Sequence, residues 1–181
     1  MRWVGTDTAT ELISVDDTLK DHCNLTGTGT TYNTVLTAYV KAASSIIEQM
    51  VGYPIRYQAV TVYYETMDQN CIRLLKNINT ITTYYYQDGD EYVQQTFTDI
   101  VRDDYYLYSE LRSSEIKQFT RYKIVCTANL NASEVIKNAC RILVAELFEN
   151  RENKQLKATG GQTNYGQWLD IYLAGEIAHN L

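Results

Sequence analysis

The feature of the sequence that most constrains its fold is a change of hydrophobic periodicity at Gly52 and Pro54. Residues 32–51 place apolar side chains at helical spacing, whereas residues 55–127 hold short runs of β-branched and aromatic residues separated by turn residues. Glycine readily takes the left-handed conformation that ends a helix, and Pro54, the only proline in the chain, prevents the helix from continuing. The chain therefore combines helices with a β-rich middle.

Helical spacing also occurs in three other segments. Residues 14–23 begin with Ser14 at capping-box spacing, and residues 132–151 carry a wide apolar surface. A last amphipathic segment follows a Gly-containing linker within residues 158–181. We therefore predict an α+β fold, in which a small helical domain of about four helices carries a β-rich insertion of short antiparallel strands between the second and third helices. We expect one domain over residues 1–157 and a C-terminal arm over residues 158–181.

The clearest turn in the β-rich middle is Asp88-Gly89. It stands between two aromatic runs, one ending at Tyr86 and the other starting at Tyr92. A type I′ turn needs positive φ angles, which Asp-Gly supplies. The spacing predicts a β-hairpin with an acidic tip.

Composition excludes several classes of protein. A net charge of −6 and a pI near 4.9 argue against a protein that grips nucleic acid through its phosphates, because such binding needs clustered Lys and Arg. No apolar run approaches the roughly 20 residues that span a bilayer, and no apolar signal core follows Met1, so we expect a protein that is neither exported nor embedded in a membrane. The four cysteines are widely separated, which favours buried thiols over a zinc site or disulfides.

Tyrosine is the unusual feature of the composition, with 16 residues, many of them adjacent. Tyrosine suits protein interfaces because it combines a large contact area with a polar tip, but it also suits pleated sheets. Adjacent tyrosines on a strand point to opposite faces, so one of each pair can belong to the core. The candidate interface residues come from the predicted hairpin and the last amphipathic segment: Tyr84, Tyr86, Asp88, Gly89, Asp90, Tyr165, Trp168, Ile171 and Tyr172.

The acidic residues that resemble catalytic or metal sites have simpler explanations. Asp103-Asp104 is adjacent on an extended chain, so the two carboxylates diverge rather than form an acid/base pair. Asp88, Asp90 and Glu91 lack the spacing of a calcium loop and lie at a hairpin tip, where charge is solvated. With two histidines and no nucleophile motif, the sequence predicts no catalytic residue, no metal and no cofactor, and favours an interaction subunit over an enzyme.

The order of segments from Leu12 to Glu152 resembles the head–tail connector (head-completion) proteins of tailed bacteriophages. The resemblance begins with a short first helix and a second helix that passes through small residues and Ile-Glu to a Gly-x-Pro stop. It continues through a strand pair and a tyrosine strand ending in Asp-Gly. Its most specific part is the third helix, which opens with Ile-Lys-x-Ala and closes with aromatic-Glu-x-Arg-Glu. The segments that carry it are Leu19-Lys20-Asp21-His22, Ala42-Ala43-Ser44-Ser45-Ile46-Ile47-Glu48, Val51-Gly52-Tyr53-Pro54, Ile72-Arg73-Leu74-Leu75, Asp88-Gly89, Val135-Ile136-Lys137-Asn138-Ala139 and Ala145-Glu146-Leu147-Phe148-Glu149-Asn150-Arg151-Glu152.

The resemblance implies a structural virion protein without an active site, made in the cytoplasm of a bacterial host and located in the neck at the head–tail junction. Members of this kind form a ring adaptor, most often of twelve copies, that binds the portal protein and the next tail or neck component. Such a ring extends the DNA channel and helps retain the packaged genome, while duplex DNA passes through without tight binding. The alternative from another class is a monomeric protein-binding module that uses a tyrosine-rich face.

Overall fold

The structure is a computed structural model that describes residues 2–5, 10–27, 29–66, 70–104, 108–129, 132–149, 169 and 171–176. Within these residues the chain forms three helices and eight strands, and it divides into two compact units. The elements in chain order are β1 (Arg2–Gly5), α1 (Asp17–His22), α2 (Asn33–Val51), β2 (Gln58–Glu65), β3 (Cys71–Leu75), β4 (Ile78–Asp88), β5 (Glu91–Gln95), β6 (Val101–Asp104), β7 (Tyr108–Arg112), β8 (Arg121–Ala128) and α3 (Glu134–Glu149).

The first unit, Met1–Thr10 and Tyr53–Asn131, is built from two antiparallel sheets. A five-stranded sheet has the order β1-β2-β8-β4-β5, and a three-stranded sheet has the order β3-β7-β6. The two sheets are tied together by Arg102 of β6, whose guanidinium donates hydrogen bonds to the carbonyl oxygens of Ile78 (2.5 Å) and Asn79 (2.6 Å) on β4.

The second unit, Glu11–Gly52 and Ala132–Leu181, contains the three helices. On α2, Ser44 is fully buried, because helical spacing places it on the same face as Val40 and Ile47. Its hydroxyl donates to the carbonyl oxygen of Val40 (2.6 Å) and lies 3.9 Å from the sulfur of Cys140 on α3. Because Ser satisfies its own polar group within the helix and is small, it is tolerated in the contact between α2 and α3.

The helix ends show which of the predicted caps form. The N-cap of α1 is Asp16 rather than Ser14: the Asp16 carboxylate accepts from the Leu19 N–H (3.0 Å), and the Ser14 hydroxyl donates to Asp16 (2.9 Å). At the end of α2, Gly52 has a φ of 81° and its N–H donates to the carbonyl of Glu48 (3.0 Å), which confirms the predicted left-handed cap.

The predicted fold class, a four-helix domain with a small β insertion, is wrong. The part of the chain that the structure describes has three helices, and its β structure comprises two antiparallel sheets of eight strands in all. Nor is the β region only an insertion between α2 and α3, because β1, from the start of the chain, pairs with β2 along Arg2–Gly5. The physical reason is that strands as short as four residues, such as β1 and β6, carry almost no periodic signal in the sequence.

The hairpin between β4 and β5 is confirmed, with a different turn. Asp88 pairs with Glu91, so the central residues are Gly89 and Asp90. Gly89 has a φ of 62°, whereas Asp90 is not among the residues with positive φ. Positive φ at the first central residue alone is the pattern of a type II′ turn rather than the expected type I′ turn.

The cysteines do not form disulfides. Cys23, Cys126 and Cys140 are buried and Cys71 is half-buried. Burial raises the pKa of the Cys126 thiol to about 12, so this group stays protonated and unreactive at neutral pH.

Candidate functional site

The two faces of the five-stranded sheet differ in environment. Burial alternates along β2 and β8, so that Val62 and Ile124, which pair with each other, lie on a buried inner face. The next pair along, Tyr63 and Lys123, lies on the opposite, outer face. The register of β4 against β8 extends both faces across the sheet and assigns each tyrosine to one of them.

The predicted interface residues Tyr84 and Tyr86 lie on the inner face. Tyr84 pairs with Ile124, and its ring meets Phe97 edge to face with centroids 4.9 Å apart. Burial raises the pKa of Tyr84. Tyr86 pairs with Tyr122 and lies under the ammonium group of Lys117, 5.5 Å from its ring centroid. Both side chains are half-buried, so they contribute to the edge of the core.

Tyr122 is the centre of this inner aromatic layer. Its side chain is fully buried, and its hydroxyl oxygen accepts a hydrogen bond from the backbone N–H of Lys117 (3.0 Å). Its ring lies 6.3 Å from that of Phe97. Burial raises the pKa of Tyr122, although the hydrogen bond from Lys117 opposes that change. The phenol therefore acts as a structural acceptor in the core.

The outer face carries a second group of tyrosines that the sequence did not identify as site residues. We call it the outer tyrosine cluster: Tyr63, Tyr85 and Tyr92 around Lys123. The Lys123 ammonium lies 5.0 Å from the Tyr85 ring centroid and 5.9 Å from that of Tyr92, and the rings of Tyr63 and Tyr92 are 6.1 Å apart. Strand alternation was the available signal, since Tyr85 must face away from Tyr84 and Tyr86.

A recess of about 230 Å³ adjoins the outer tyrosine cluster at one end of the sheet. At its rim, Arg121 and Glu65 form an ion pair 3.6 Å long in which both side chains are more than half exposed. An exposed pair of this kind contributes little to stability and can exchange its partner for another charged group. The recess is lined by Arg2, Tyr63, Tyr64, Glu65, Tyr92, Arg121 and Tyr122.

The predicted residues Asp88, Gly89 and Asp90 form the exposed tip of the hairpin. The side-chain amide of Gln87 donates to the carbonyl of Gly89 (2.9 Å), which fixes the turn from one side. In the described portion of the chain, no group of three or more His, Cys, Asp or Glu side chains is placed to hold a metal ion. The tip therefore presents solvated carboxylates to any partner that approaches it.

The remaining predicted residues belong to the second unit. Ile171 is 79% exposed and Tyr172 is 41% exposed, whereas Leu169 and Leu173, one helical turn apart, are buried. The buried leucines were not among the predicted interface residues, whereas Ile171 and Tyr172 were. Tyr165 and Trp168 lie outside the described residues.

The carboxylates of Asp99, Asp103 and Asp104 hold loops and strands together. Asp104 accepts from the Ser109 hydroxyl (2.6 Å) and the Arg102 guanidinium (2.7 Å), and these two hydrogen bonds lower the pKa of Asp104. Asp103 lies 3.5 Å from Arg112. Hydrogen bonds from Ser113 and Ser114 lower the pKa of Asp99 to about 2. Asp99 and Asp104 are thus ionised at neutral pH and have no proton to donate as general acids.

A match between this sequence and a known protein family identifies the class of protein. Residues 11–168 match the family model described as "Head completion protein". The chain belongs to the head completion protein family. The predicted resemblance is confirmed, and with it the expectation of a bacteriophage-type structural protein of the virion neck. A comparison with curated protein sequences gives no match.

Solved structures support the same fold for this head completion protein. It is similar, with a TM-score of 0.66 and 15% identity, to a chain in the neck of an empty gene transfer agent (GTA) particle computed with C6 symmetry. It is also similar to a chain in the virion of a native GTA particle, with a TM-score of 0.65 and 15% identity, and to one in the neck of a native GTA particle computed with C12 symmetry, with a TM-score of 0.58 and 16% identity. Each likeness covers 96% of this chain and 97% of the other.

No helix among the described residues is long and apolar enough to cross a membrane.

Proposed function

We propose that this head completion protein is a subunit of a ring adaptor between the portal and the tail. The observation that carries the proposal is the family match over residues 11–168. It is supported by the fold shared with chains in GTA necks, whose structures were computed with C6 and C12 symmetry. The ring would bind the portal protein on one side and the next tail or neck component on the other. Twelve copies would complete it.

The ring would also extend the channel through which DNA leaves and help to retain the packaged genome. The net charge of −6 suits a wall that repels phosphate groups, so duplex DNA would slide through without tight binding. A gel-shift titration with duplex DNA at about 0.1 M salt tests this part. We expect no retarded band at micromolar protein, whereas tight binding that weakens steeply with salt would contradict it.

A monomeric binding module is the second candidate, and the outer tyrosine cluster favours it. Tyr63, Tyr85 and Tyr92 expose parts of their rings on one face, and such residues anchor protein contacts. The two candidates differ in stoichiometry. A module binds one partner per copy, whereas a ring requires each copy to contact two neighbours through different surfaces.

Light scattering coupled to size exclusion separates these candidates. We expect the chain alone to elute as a monomer or a weak oligomer and to form a complex of about twelve copies when purified portal is added. Binding of isolated single copies to the portal would favour the module. A lack of binding to the portal would contradict the proposed function.

The segment 158–181 is proposed as an assembly arm that docks on an adjacent virion protein. The exposure of Ile171 and Tyr172 supports this role, while the burial of Leu169 and Leu173 provides a matched control. Ile171→Ser should leave the melting curve unchanged and reduce ring formation on the portal. Leu173→Ala should instead destabilise the fold by about 2–5 kcal/mol, as expected for a truncated core leucine. Normal ring formation by the Ile171→Ser variant would contradict the proposed role of residues 158–181 as an assembly arm.

A further inference from the structure

Among the described residues, β1 and β5 are the edge strands of the five-stranded sheet, each paired on one side. Edge strands present unpaired N–H and C=O groups, and proteins usually shield them with Lys, Pro, a bulge or a covering element. Here neither edge carries Lys or Pro, and four of the five residues of β5 are exposed. Apolar surface is exposed on both edges, with Val4 at 45%, Tyr92 at 37% and Val93 at 40%. These features suit both edges to pairing with another strand.

The two edge strands run in the same direction. Four successive antiparallel pairings separate β1 from β5, so an even number of reversals restores the original direction. Arg2, the first residue of β1, therefore lies at the same end of the sheet as Glu91, the first residue of β5, and the acidic hairpin tip. The two edges thus carry opposite charges at corresponding ends.

The charged groups at these ends have no partner of their own within the described residues. No ion pair there involves Arg2 on one edge, or Asp88, Asp90 and Glu91 on the other. Three carboxylates on one short turn repel each other, and a cation close to them would relieve that repulsion. Arg2 of a second copy is a cation at the same end of the sheet. The strand registers place it level with Gln94, so an offset of two residues between copies brings it beside Tyr92.

We propose that β1 of one copy pairs in parallel with β5 of the next copy, so that the five-stranded sheets join edge to edge around the ring. The proposal rests on the ring adaptor function proposed above. A twelve-fold axis relates neighbours by a rotation of about 30°, so strands of adjacent copies that run in the same direction within the sheet remain nearly parallel. Only pairing between unlike edges, β1 with β5, closes such a ring.

The faces of the sheet limit the possible registers of this contact. Arg2 and Val4 lie on the outer face, because they pair with Tyr63 and Thr61 of β2. Tyr92 lies on the outer face of β5, as does Gln94, which pairs with Tyr85. A continuous sheet keeps its faces, so Arg2 of one copy lies beside Tyr92 or Gln94 of the next, and Tyr92 is the one nearer the acidic tip.

In the register that puts Arg2 beside Tyr92, Val4 lies beside Gln94 and Trp3 beside Val93. Arg2 is then placed beside an aromatic ring, one residue from Glu91 and two from Asp90. A two-fold dimer would instead pair β5 with β5 in antiparallel orientation, so that each acidic tip meets the uncharged Gln94–Gln95 end of the other copy and no cation is brought to the carboxylates. Charge therefore favours the heterologous contact over the two-fold one.

Cross-linking of ring complexes on the portal tests this arrangement. Val4→Cys and Gln94→Cys are made separately and together, since both positions are exposed. Rings are treated with a short bifunctional maleimide and analysed on a denaturing gel. We expect no linked product from either single variant, dimers only from a mixture of the two, and a ladder of covalent multimers from the double variant.

Two controls make the result specific. The unsubstituted chain reports any linkage through native thiols, and Val4→Cys combined with Val101→Cys, which is exposed on the three-stranded sheet, reports non-specific linkage. Dimers from one single variant alone would indicate like-edge pairing and overturn the proposal. So would rings that are visible by electron microscopy but give no ladder, or equal ladders from the Val101 pair. A failure to form rings at all would overturn the adaptor function and, with it, this inference.

Discussion

The inner and outer faces of the five-stranded sheet carry tyrosines in opposite roles. On the inner face Tyr122 is fully buried, accepts a hydrogen bond and packs against Phe97, whereas on the outer face Tyr85 and Tyr92 surround the ammonium group of Lys123. The residue type and the secondary structure are the same, and on β4 the two faces alternate between the adjacent residues Tyr84 and Tyr85. The abundance of tyrosine therefore says little about interfaces until strand register assigns each ring to a face.

Truncating one ring on each face gives the largest expected contrast. Tyr122→Ala should destabilise the first unit by about 3–5 kcal/mol, because it leaves a cavity in the core. Tyr92→Ala, the matched control on the outer face, should cost about 1 kcal/mol or less, since it loses only partly exposed ring contacts. Urea unfolding followed by circular dichroism measures both values. Equal losses would show that the two faces do not differ as described.

Removal of a single hydroxyl sharpens the comparison. Tyr122→Phe keeps the ring but leaves the Lys117 N–H without its acceptor, so we expect a loss of about 1–2 kcal/mol. Tyr85→Phe on the outer face should change the free energy of unfolding by less than about 0.5 kcal/mol. The same urea titrations apply. A neutral Tyr122→Phe variant would mean that its hydroxyl has no structural role.

The pH dependence of stability reports on the inner face. Burial raises the folded-state pKa of Tyr84 and Tyr122 above the unfolded value of roughly 10. Their contribution to stability is therefore fully present below about pH 10 and is lost as the pH rises through the folded-state pKa values. The double variant Tyr84→Phe, Tyr122→Phe should lose stability less steeply above about pH 10 in urea titrations. If the free energy of unfolding falls with pH as steeply in the double variant as in the unsubstituted chain, other groups cause the loss of stability.

The smallest expected effect concerns the cation of the outer tyrosine cluster. Lys123→Met keeps most of the apolar stem but removes the ammonium group from Tyr85 and Tyr92, so the loss should be about 0.5–1 kcal/mol. Thermal melting at low and high salt measures it, with Lys41→Met on the exposed side of α2 as the control. A loss as large as that of Tyr122→Ala would contradict the assignment of this face to the surface.

Sequence patterns predicted the elements whose signal is contained within one segment. The second helix, its Gly52 cap and the β4–β5 hairpin follow from periodicity and turn chemistry over short distances. The strand β1 could not be predicted, since Arg2–Gly5 has no repeating pattern and is stabilised by pairing with β2, which lies more than 50 residues away. The strand β6 was not predicted either, because Val101–Asp104 has only four residues and no apolar alternation.

The sequence predicted less of the candidate site than of the fold. Alternation shows that Tyr84 and Tyr85 face opposite ways, but which of the two is buried depends on the pairing of β4 with β8 and on Phe97, which lies beyond the hairpin. The division of the strands into two sheets likewise depends on long-range contacts such as those of Arg102. Local patterns therefore identified the tyrosine strand but not its exposed side.

Cryo-electron microscopy of intact particles tests the central claim, that this head completion protein forms a ring in the neck. The account predicts a closed ring at the junction of portal and tail, into which the chain fits with β1 of each copy beside β5 of the next. Density for the chain elsewhere in the particle, or isolated copies bound through the outer tyrosine cluster without a ring, would contradict it.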